Sequence, residues 1–360
     1  MAILQLIDSL RSGGAERMCV NISNILKING YDVILCSTRD GGPLEKTISP
    51  GIKFYVLHKM HCFDFPAFTK LLRLVGENGI KVIHAHSSSV FWAIAVKYRL
   101  PEVKVIWHDH LGIKIEYRKK IFFYKLISKK IDAIIAVNND LADWSRRNMK
   151  VPQGNVLMIN NFPLLNVMER NPNPEYFTIV CLANLRPQKD HGTLIKAIAL
   201  LVKKRLQKKI KVVLAGSVDH SEYTGKIKSL ISELGLRDII EIRGSVEDTA
   251  SLLASANCGV LTSVSEGLPI ALLEYGMARL PVIVTDVGEC AKVVGHGDYG
   301  HIVQTGDSEG IANELLWVYN NKDEACRLGQ SLRENVMGNY GPNQFINSYQ
   351  SLLKRISGND

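Results

Sequence analysis

The sequence predicts an α/β protein of two Rossmann-like, doubly wound parallel-sheet domains that face a central cleft. Three observations predict it. Apolar, β-rich runs alternate with helical patterns along the chain, which argues for βαβ units and a parallel sheet. The alternation breaks once, at FPLLNVMERNPNPEYF (162–177), where Pro163, Pro172 and Pro174 fall in a stretch without a period. It then restarts in full, and 360 residues suit two domains. The expected division is 1–162, then 163–340, with 341–360 as a closing helix; sequence does not say where it packs, and the first domain is one candidate.

In the first half, AILQLI (2–7) reads as a strand that leads through a glycine turn into a helix over about 15–29. DVILCS (32–37) and FYVLH (54–58) follow as strands, then a helix near 67–78 and the strand KVIHAH (81–86). Another helix precedes KVIWHDH (104–110), and a basic helix separates that strand from DAIIAVN (132–138) and NVLMINN (155–161). In the second half the strands are TIVCLAN (178–184), KVVLAGS (211–217), IIEIRGS (239–245), CGVLTS (258–263) and PVIVTDVG (281–288), with helices from about 190 and over 222–234. GPNQFINSYQSLLKRI near the end has the spacing of an amphipathic helix.

Composition narrows the function classes. With 46% hydrophobic and 22% charged residues the chain is neither disordered nor fibrous. Asp8 and Arg11 come too early for a secretory leader, and no uncharged apolar run approaches the roughly 18 residues of a membrane helix. Seven scattered cysteines, with no Cys-x-x-Cys, read as reduced core residues of a cytoplasmic protein. A net charge of +9 favours anionic partners. Two runs carry much of it. KKRLQKKIK (203–211) reads as a solvated helix face. IKIEYRKKIFFYKLISKKI (113–131) interleaves basic and aromatic residues; it reads either as a solvated face or as a helix lying on the inner face of the cell membrane. No nucleic-acid motif accompanies the charge, so nucleic acid is not an expected partner.

Ligands of open parallel sheets bind beyond the carboxyl ends of the strands, and polar residues collect there. Gly13 and Gly14 follow the first strand, His84 and His86 close the fourth, and His108, Asp109 and His110 close the fifth. In the second half, Asn184, Arg186 and Lys189 follow one strand, Gly244 another and Glu266 a third. Gly13-Gly14 suits a phosphate approaching a helix N-terminus, or simply a tight turn. Arg186 and Lys189 could neutralise a diphosphate leaving group. In SEGLPIALLE, Pro269 suits the first turn of a helix. That puts Glu266 in the loop before it, free N–H groups near Gly267 and Leu268, and Glu274 on the helix. Paired carboxylates accept well from vicinal sugar hydroxyls; the plain alternative is a cap and a solvated glutamate.

Taken together these residues resemble the retaining nucleotide-sugar glycosyltransferases of family four, with the GT-B fold. SEGLPIALLE followed by LPVIVTDVG carries most of the resemblance, and GGAER, VIHAHS and LRPQKDHGTLIKAI support it in the expected order. The resemblance implies transfer of a sugar from a nucleotide diphosphate sugar, with UDP as the default, to an acceptor hydroxyl with retention. It implies donor binding by Gly13, Gly14, Lys189, Gly244, Glu266, Gly267, Leu268 and Glu274. It implies chemistry at His110, Arg186, Lys189 and Glu266, with no metal and no cofactor. Lys189 would hold the diphosphate, Glu266 the donor sugar, Glu274 the ribose, and His110 the sugar near the reacting carbon. The acceptor would be a glycan or lipid-linked glycan in bacterial polysaccharide or lipopolysaccharide synthesis. The sequence departs from the family at four points. Asn184 replaces an arginine whose charge Arg186 would supply, Arg279 and Glu289 replace glycines, and Lys292 replaces an acid. Three rivals differ in class: a metal hydrolase using His84, His86, His108, Asp109 and His110; an epimerase or phosphorylase of the same fold; and a non-catalytic nucleotide-sugar-binding subunit.

Overall fold

The structure, a computed structural model, describes residues 1–11, 13–110, 115–164, 168–218 and 222–358, with the backbone alone for 115–121. The chain divides into two compact units, one of Met1–Phe162 with Pro342–Asp360 and one of Pro163–Gly341.

The first unit runs β1 (Ala2–Ser9), α1 (Gly14–Ile28), β2 (Asp32–Asp40), β3 (Lys53–Val56), α2 (Phe65–Glu77), β4 (Val82–His86), α3 (Val90–Arg99), β5 (Lys104–Asp109), α4 (Ile115–Ser128), β6 (Ala133–Ala136), α5 (Asn139–Asn148) and β7 (Val156–Met158). Its seven strands are all parallel, in the order β3-β2-β1-β4-β5-β6-β7. Period-two alternation divides the sheet residues between two faces. Leu4, Leu6, Ile83, Ala85 and Trp107 pack with Leu71, Leu74, Ala93 and Val96 of α2 and α3. Gln5, His84, His86 and His108, all fully buried, are the residues between them on β1, β4 and β5.

The second unit runs β8 (Tyr176–Leu182), α6 (His191–Val202), β9 (Lys209–Ala215), α7 (Glu222–Glu233), β10 (Ile240–Gly244), α8 (Thr249–Ala254), β11 (Cys258–Leu261), α9 (Ile270–Met277), β12 (Val282–Thr285), α10 (Cys290–Val293), β13 (His301–Val303), α11 (Ser308–Asn320) and α12 (Lys322–Asn339). Its six strands are also parallel, in the order β10-β9-β8-β11-β12-β13. Asp side chains cap several helices; Asp248 accepts from Ser251 N at 2.9 Å and Asp307 from Gly310 N at 2.8 Å. The last helix, α13 (Pro342–Ser357), belongs to the first unit, where Tyr349 stacks on His84 at 5.3 Å and Phe345 lies 4.9 Å from Phe162.

The structure corrects two readings. The run 203–211 is not a helix face: α6 ends at Val202, Arg205 turns the chain with φ +49°, and β9 begins at Lys209. The cysteines are unpaired, but Cys62 and Cys326 are exposed and take no part in the core. In the basic segment, residues 113 and 114 and the side chains through 121 lie outside the described residues. Beyond them, Tyr124 turns inward to stack on Trp107 at 5.2 Å, while Phe122, Phe123 and Leu126 stay exposed. Among the described residues no helix is long and apolar enough to cross a membrane.

Candidate active site

The second sheet changes winding direction between β8 and β11, and in open α/β sheets the crevice at such a point receives the ligand. The exits of these two strands carry the first cluster. Past β8 the chain runs through Asn184 and Arg186 into a 3-10 turn, Pro187–Lys189. Past β11 it runs through Thr262 and Ser263 to Glu266. The two exits are tied together. Val264 N donates to Gln188 O at 2.9 Å, and Thr262 Oγ1 donates to the carbonyls of Lys189 and Asp190 at 3.0 Å each. On that frame Lys189 Nζ donates to Glu266 Oε1 at 2.5 Å, and Ser263 Oγ donates to the same oxygen at 2.6 Å. The Glu266 side chain is only 9% exposed, so this charge-assisted pair is shielded and correspondingly strong.

Two further segments hold the loop. Thr285 Oγ1, at the end of β12, donates to Ser263 O at 2.6 Å. Glu289 N donates to Gly267 O at 3.0 Å. Between them Gly288 has φ +54°, and a Cβ there would stand 2.1 Å from Glu266 O, so both conformation and space require glycine. On the other side, Asp190 takes the left-handed conformation, φ +44°, and caps α6 by accepting from Thr193 N at 3.3 Å and Thr193 Oγ1 at 2.6 Å.

The helix α9 starts later than the sequence spacing suggests. Pro269 is its N-cap, its carbonyl accepting from Leu272 N and Leu273 N. The first helical N–H groups therefore belong to Ile270 and Ala271, and Gly267 and Leu268 precede the helix. Glu274 lies inside α9 and is 3% exposed, so it is not a solvated glutamate. Gly244 ends β10 with φ +76°, and its carbonyl accepts from Gly216 N at 2.8 Å. Asn184 uses its side-chain oxygen to accept from Ser217 N at 2.8 Å, which joins the exits of β8 and β9. Arg186, two residues on, is exposed.

A second cluster sits at the exits of β1, β4 and β5 in the first unit, which changes winding direction between β1 and β4. Gly13 is the N-cap of α1. The atoms nearest a Cβ there would be those of the Glu16 carboxylate, the end of a flexible side chain, and at Gly14 it would meet nothing within 4 Å. The pair offers bare backbone at the start of α1. His110 lies one residue past β5 and is half-buried, whereas His108 is wholly enclosed within the strand. His84 Nε2 lies 3.2 Å from His108 Nδ1, His86 Nδ1 lies 2.9 Å from His110 Nε2, and His86 Nε2 lies 2.8 Å from Gln5 Oε1. Burial pushes His84 and His110 down to about 3 and His86 and His108 well below the usual 6.5, so all four are neutral. Among the described residues, His84, His86 and His108 are the His/Cys/Asp/Glu group compact enough to hold a metal ion, with ligand atoms within 4.8 Å. Their rings are stacked or tilted on one another at 4.6 to 5.3 Å, and the nitrogens named above serve hydrogen bonds between side chains.

Comparison with known families gives the decision. The model of family 4 glycosyltransferases matches residues 12–162, and that of glycosyl transferases group 1 matches residues 167–335. The chain belongs to the family 4, group 1 glycosyltransferases. It is 25% identical to N-acetyl-alpha-D-glucosaminyl L-malate synthase of Bacillus anthracis, covering 97% of this chain and 95% of that one. It is 21% identical to the Escherichia coli UDP-Gal:alpha-D-GlcNAc-diphosphoundecaprenol alpha-1,3-galactosyltransferase, over 99% and 94%. Among solved structures, Anabaena HepE in complex with UDP and glucose superposes with a TM-score of 0.81 at 18% identity, covering 97% of this chain and 99% of that one. The two parallel-sheet units are thus those of a GT-B glycosyltransferase, and the chain is a transferase.

Within this glycosyltransferase, the structure joins Lys189 to Glu266 directly and places Arg186 at the start of the same turn. Reading the sequence alone missed the residues that hold the pair: Thr262, Ser263, Thr285 and Gly288. It also missed His191, fully buried at the start of α6, whose N donates to Tyr223 Oη at 3.0 Å and whose imidazole burial pushes down to about 4. Gln5 was legible as the one polar residue inside AILQLI; that signal marks a buried polar group needing a partner.

Proposed function

We propose that this glycosyltransferase moves a sugar from a nucleotide diphosphate sugar, UDP-linked by default, to a hydroxyl of a lipid-linked glycan, with retention, in the synthesis of a bacterial surface polysaccharide or lipopolysaccharide. The observation that carries the reading is the Lys189–Glu266–Ser263 cluster at the winding switch of the second sheet. A diphosphate competes with Glu266 for the Lys189 ammonium. Lys189 then stabilises the leaving group, Arg186 adds a second charge, and the first N–H groups of α9 add a favourable helix end. Glu266, released from Lys189, accepts from hydroxyls of the donor sugar. Glu274 takes the ribose, Gly244 lies by the base, and backbone at Gly13, Gly14, Gly267 and Leu268 faces donor phosphates and sugar. His110, a neutral imidazole, contacts the transferred sugar. A departing phosphate oxygen accepts the acceptor proton, so the scheme uses neither a metal nor a dedicated base.

The E. coli relative named above, whose acceptor is a diphosphoundecaprenol-linked GlcNAc, supports the lipid-linked acceptor. Exposed Phe122, Phe123 and Leu126 beside Lys125, Lys129 and Lys130 support an anionic membrane surface as partner, with the protein on its cytoplasmic side.

The test is product analysis. The enzyme is incubated with UDP-glucose, UDP-galactose or UDP-N-acetylglucosamine and a GlcNAc-diphosphate-lipid acceptor, and the new linkage is read by NMR. The expected product keeps the donor's anomeric configuration; an inverted linkage, or free sugar as sole product, would contradict the proposal.

A further inference from the structure

Two imidazoles of the first unit, His86 and His110, form an ordered chain with Gln5, and its order has a chemical consequence. Gln5 and His84 are register partners on β1 and β4, and His86 and His108 on β4 and β5, so these side chains share a face. Gln5 and His86 are both fully buried. An amide oxygen can only accept, so His86, 2.8 Å from Gln5 Oε1, carries its proton on Nε2. A neutral imidazole protonated at Nε2 has a bare Nδ1, which can only accept. The bond of 2.9 Å between His86 Nδ1 and His110 Nε2 must then be donated by His110. His110 is left with a proton on Nε2 and a lone pair on Nδ1.

We propose that Gln5 and His86 are positioning residues that lock His110 in the Nε2–H tautomer, so that its Nδ1 accepts a hydrogen bond from a hydroxyl of the transferred sugar. The inference rests on the role proposed above for His110. In the other tautomer Nδ1 would be a donor, and a sugar hydroxyl would have to turn its oxygen toward it. The hydrogen bond to one ring nitrogen of a histidine decides what the other nitrogen can do. Burial keeps His86 and His110 neutral, so the donor order holds across ordinary pH. His84 and His108 form a separate pair on the same face, with no bond into this chain among those described.

The experiment has two arms. In the first, the ligand-free full-length protein is labelled with 15N-histidine, and the ring nitrogens of His86 and His110 are assigned by single substitutions. Both rings should be protonated at Nε2, and in Gln5→Leu the fixed tautomer of His110 should give way to a mixture. Protonation of His110 at Nδ1 in the unsubstituted protein, as a reversed Gln5 amide would produce, overturns the inference. In the second arm, release of UDP from UDP-glucose is followed. His86→Asn places an amide oxygen near the position of Nδ1 and should keep kcat within about threefold, while His86→Leu should lower it by about tenfold, the worth of one hydrogen bond, with KM little changed. Equal losses in the two variants would mean that His86 only fills space, and would also overturn it. The first arm needs no donor, so it decides the inference even if UDP-glucose is not the donor and the proposed function needs revision.

Discussion

Gly288 offers a way to move Glu266 without altering any group that would touch a substrate. Its φ of +54° lies in the left-handed region, where a side chain costs about 1 kcal/mol. The larger effect is steric. The Cβ of Gly288→Ala would stand 2.1 Å from Glu266 O and 2.8 Å from Gly267 O, and real Cβ contacts do not fall below 3.0 Å. The Glu266–Gly267 segment must therefore retreat by roughly 1 Å, and a displacement of that size at a reacting centre costs on the order of a hundredfold in rate. The same movement loosens the bond from Glu289 N to Gly267 O. The expected outcome is a loss of about a hundredfold in kcat with a stability loss of roughly 1–3 kcal/mol, measured by UDP release and by urea unfolding. Full activity in Gly288→Ala, alongside an inactive Glu266→Ala, would refute the reasoning, since the loop geometry would then be irrelevant to Glu266.

Other consequences follow from single residues. Lys189→Met removes the cation bonded to Glu266 and should lower kcat by about a hundredfold, equivalent to roughly 3 kcal/mol; a change under threefold would remove Lys189 from leaving-group stabilisation. Arg279, exposed, has φ +58°, in the left-handed region that favours glycine. Arg279→Gly should raise stability by about 0.5–1 kcal/mol in urea unfolding, and a loss would mean that the arginine side chain supplies more than its backbone strain removes. His84, His86 and His108 are held neutral in the fold by burial, so the unfolded chain binds protons that the folded chain does not. Their contribution is complete above pH 6.5 and is lost as pH falls towards their lowered folded values. Each removes roughly 1.4 kcal/mol per pH unit below 6.5, and stability that stays flat between pH 7 and pH 5 would contradict their burial as neutral rings. Asp8 follows the carboxylate pattern at lower pH. Burial raises it, but hydrogen bonds from Ser88 and Thr38 and the charge of Lys59 outweigh that and leave it lowered. Its contribution is present above 3.8, and is lost as pH falls through the folded value; Asp8→Asn should flatten that acid limb of the stability curve.

The long apolar runs disclosed most of the fold. β1, β5, β8 and β9 stand where AILQLI, KVIWHDH, TIVCLAN and KVVLAGS predict, because a buried parallel strand is apolar along its whole length. β13 was missed because three residues, His301–Val303, are too few to show a period. The helices α11 and α12 were missed as well, though Asp307, which caps α11, was a readable start signal. At the site, strand ends identified Lys189 and Glu266, since charge beyond a buried strand is conspicuous. That they bond to each other was not legible, because a separation of 77 positions carries no sign of which exits become neighbours. Nor was the order of the histidine chain: His-x-His on one strand and His-Asp-His on the next suggest metal ligands as readily as hydrogen-bonded rings, and only the register of β1, β4 and β5 brings Gln5 to them.

The most direct measurement of the central assignment is a thermal-shift panel of nucleotide sugars against the unsubstituted protein and Glu274→Ala. A ligand at a hundred times its Kd stabilises by about 2.7 kcal/mol, which moves the midpoint of a unit of this size by roughly 5–10 °C. The account predicts such a shift with at least one nucleotide sugar, reduced or lost in Glu274→Ala. No shift with any nucleotide sugar, or one that Glu274→Ala leaves untouched, would contradict the placement of the donor at the Lys189–Glu266 cluster and α9.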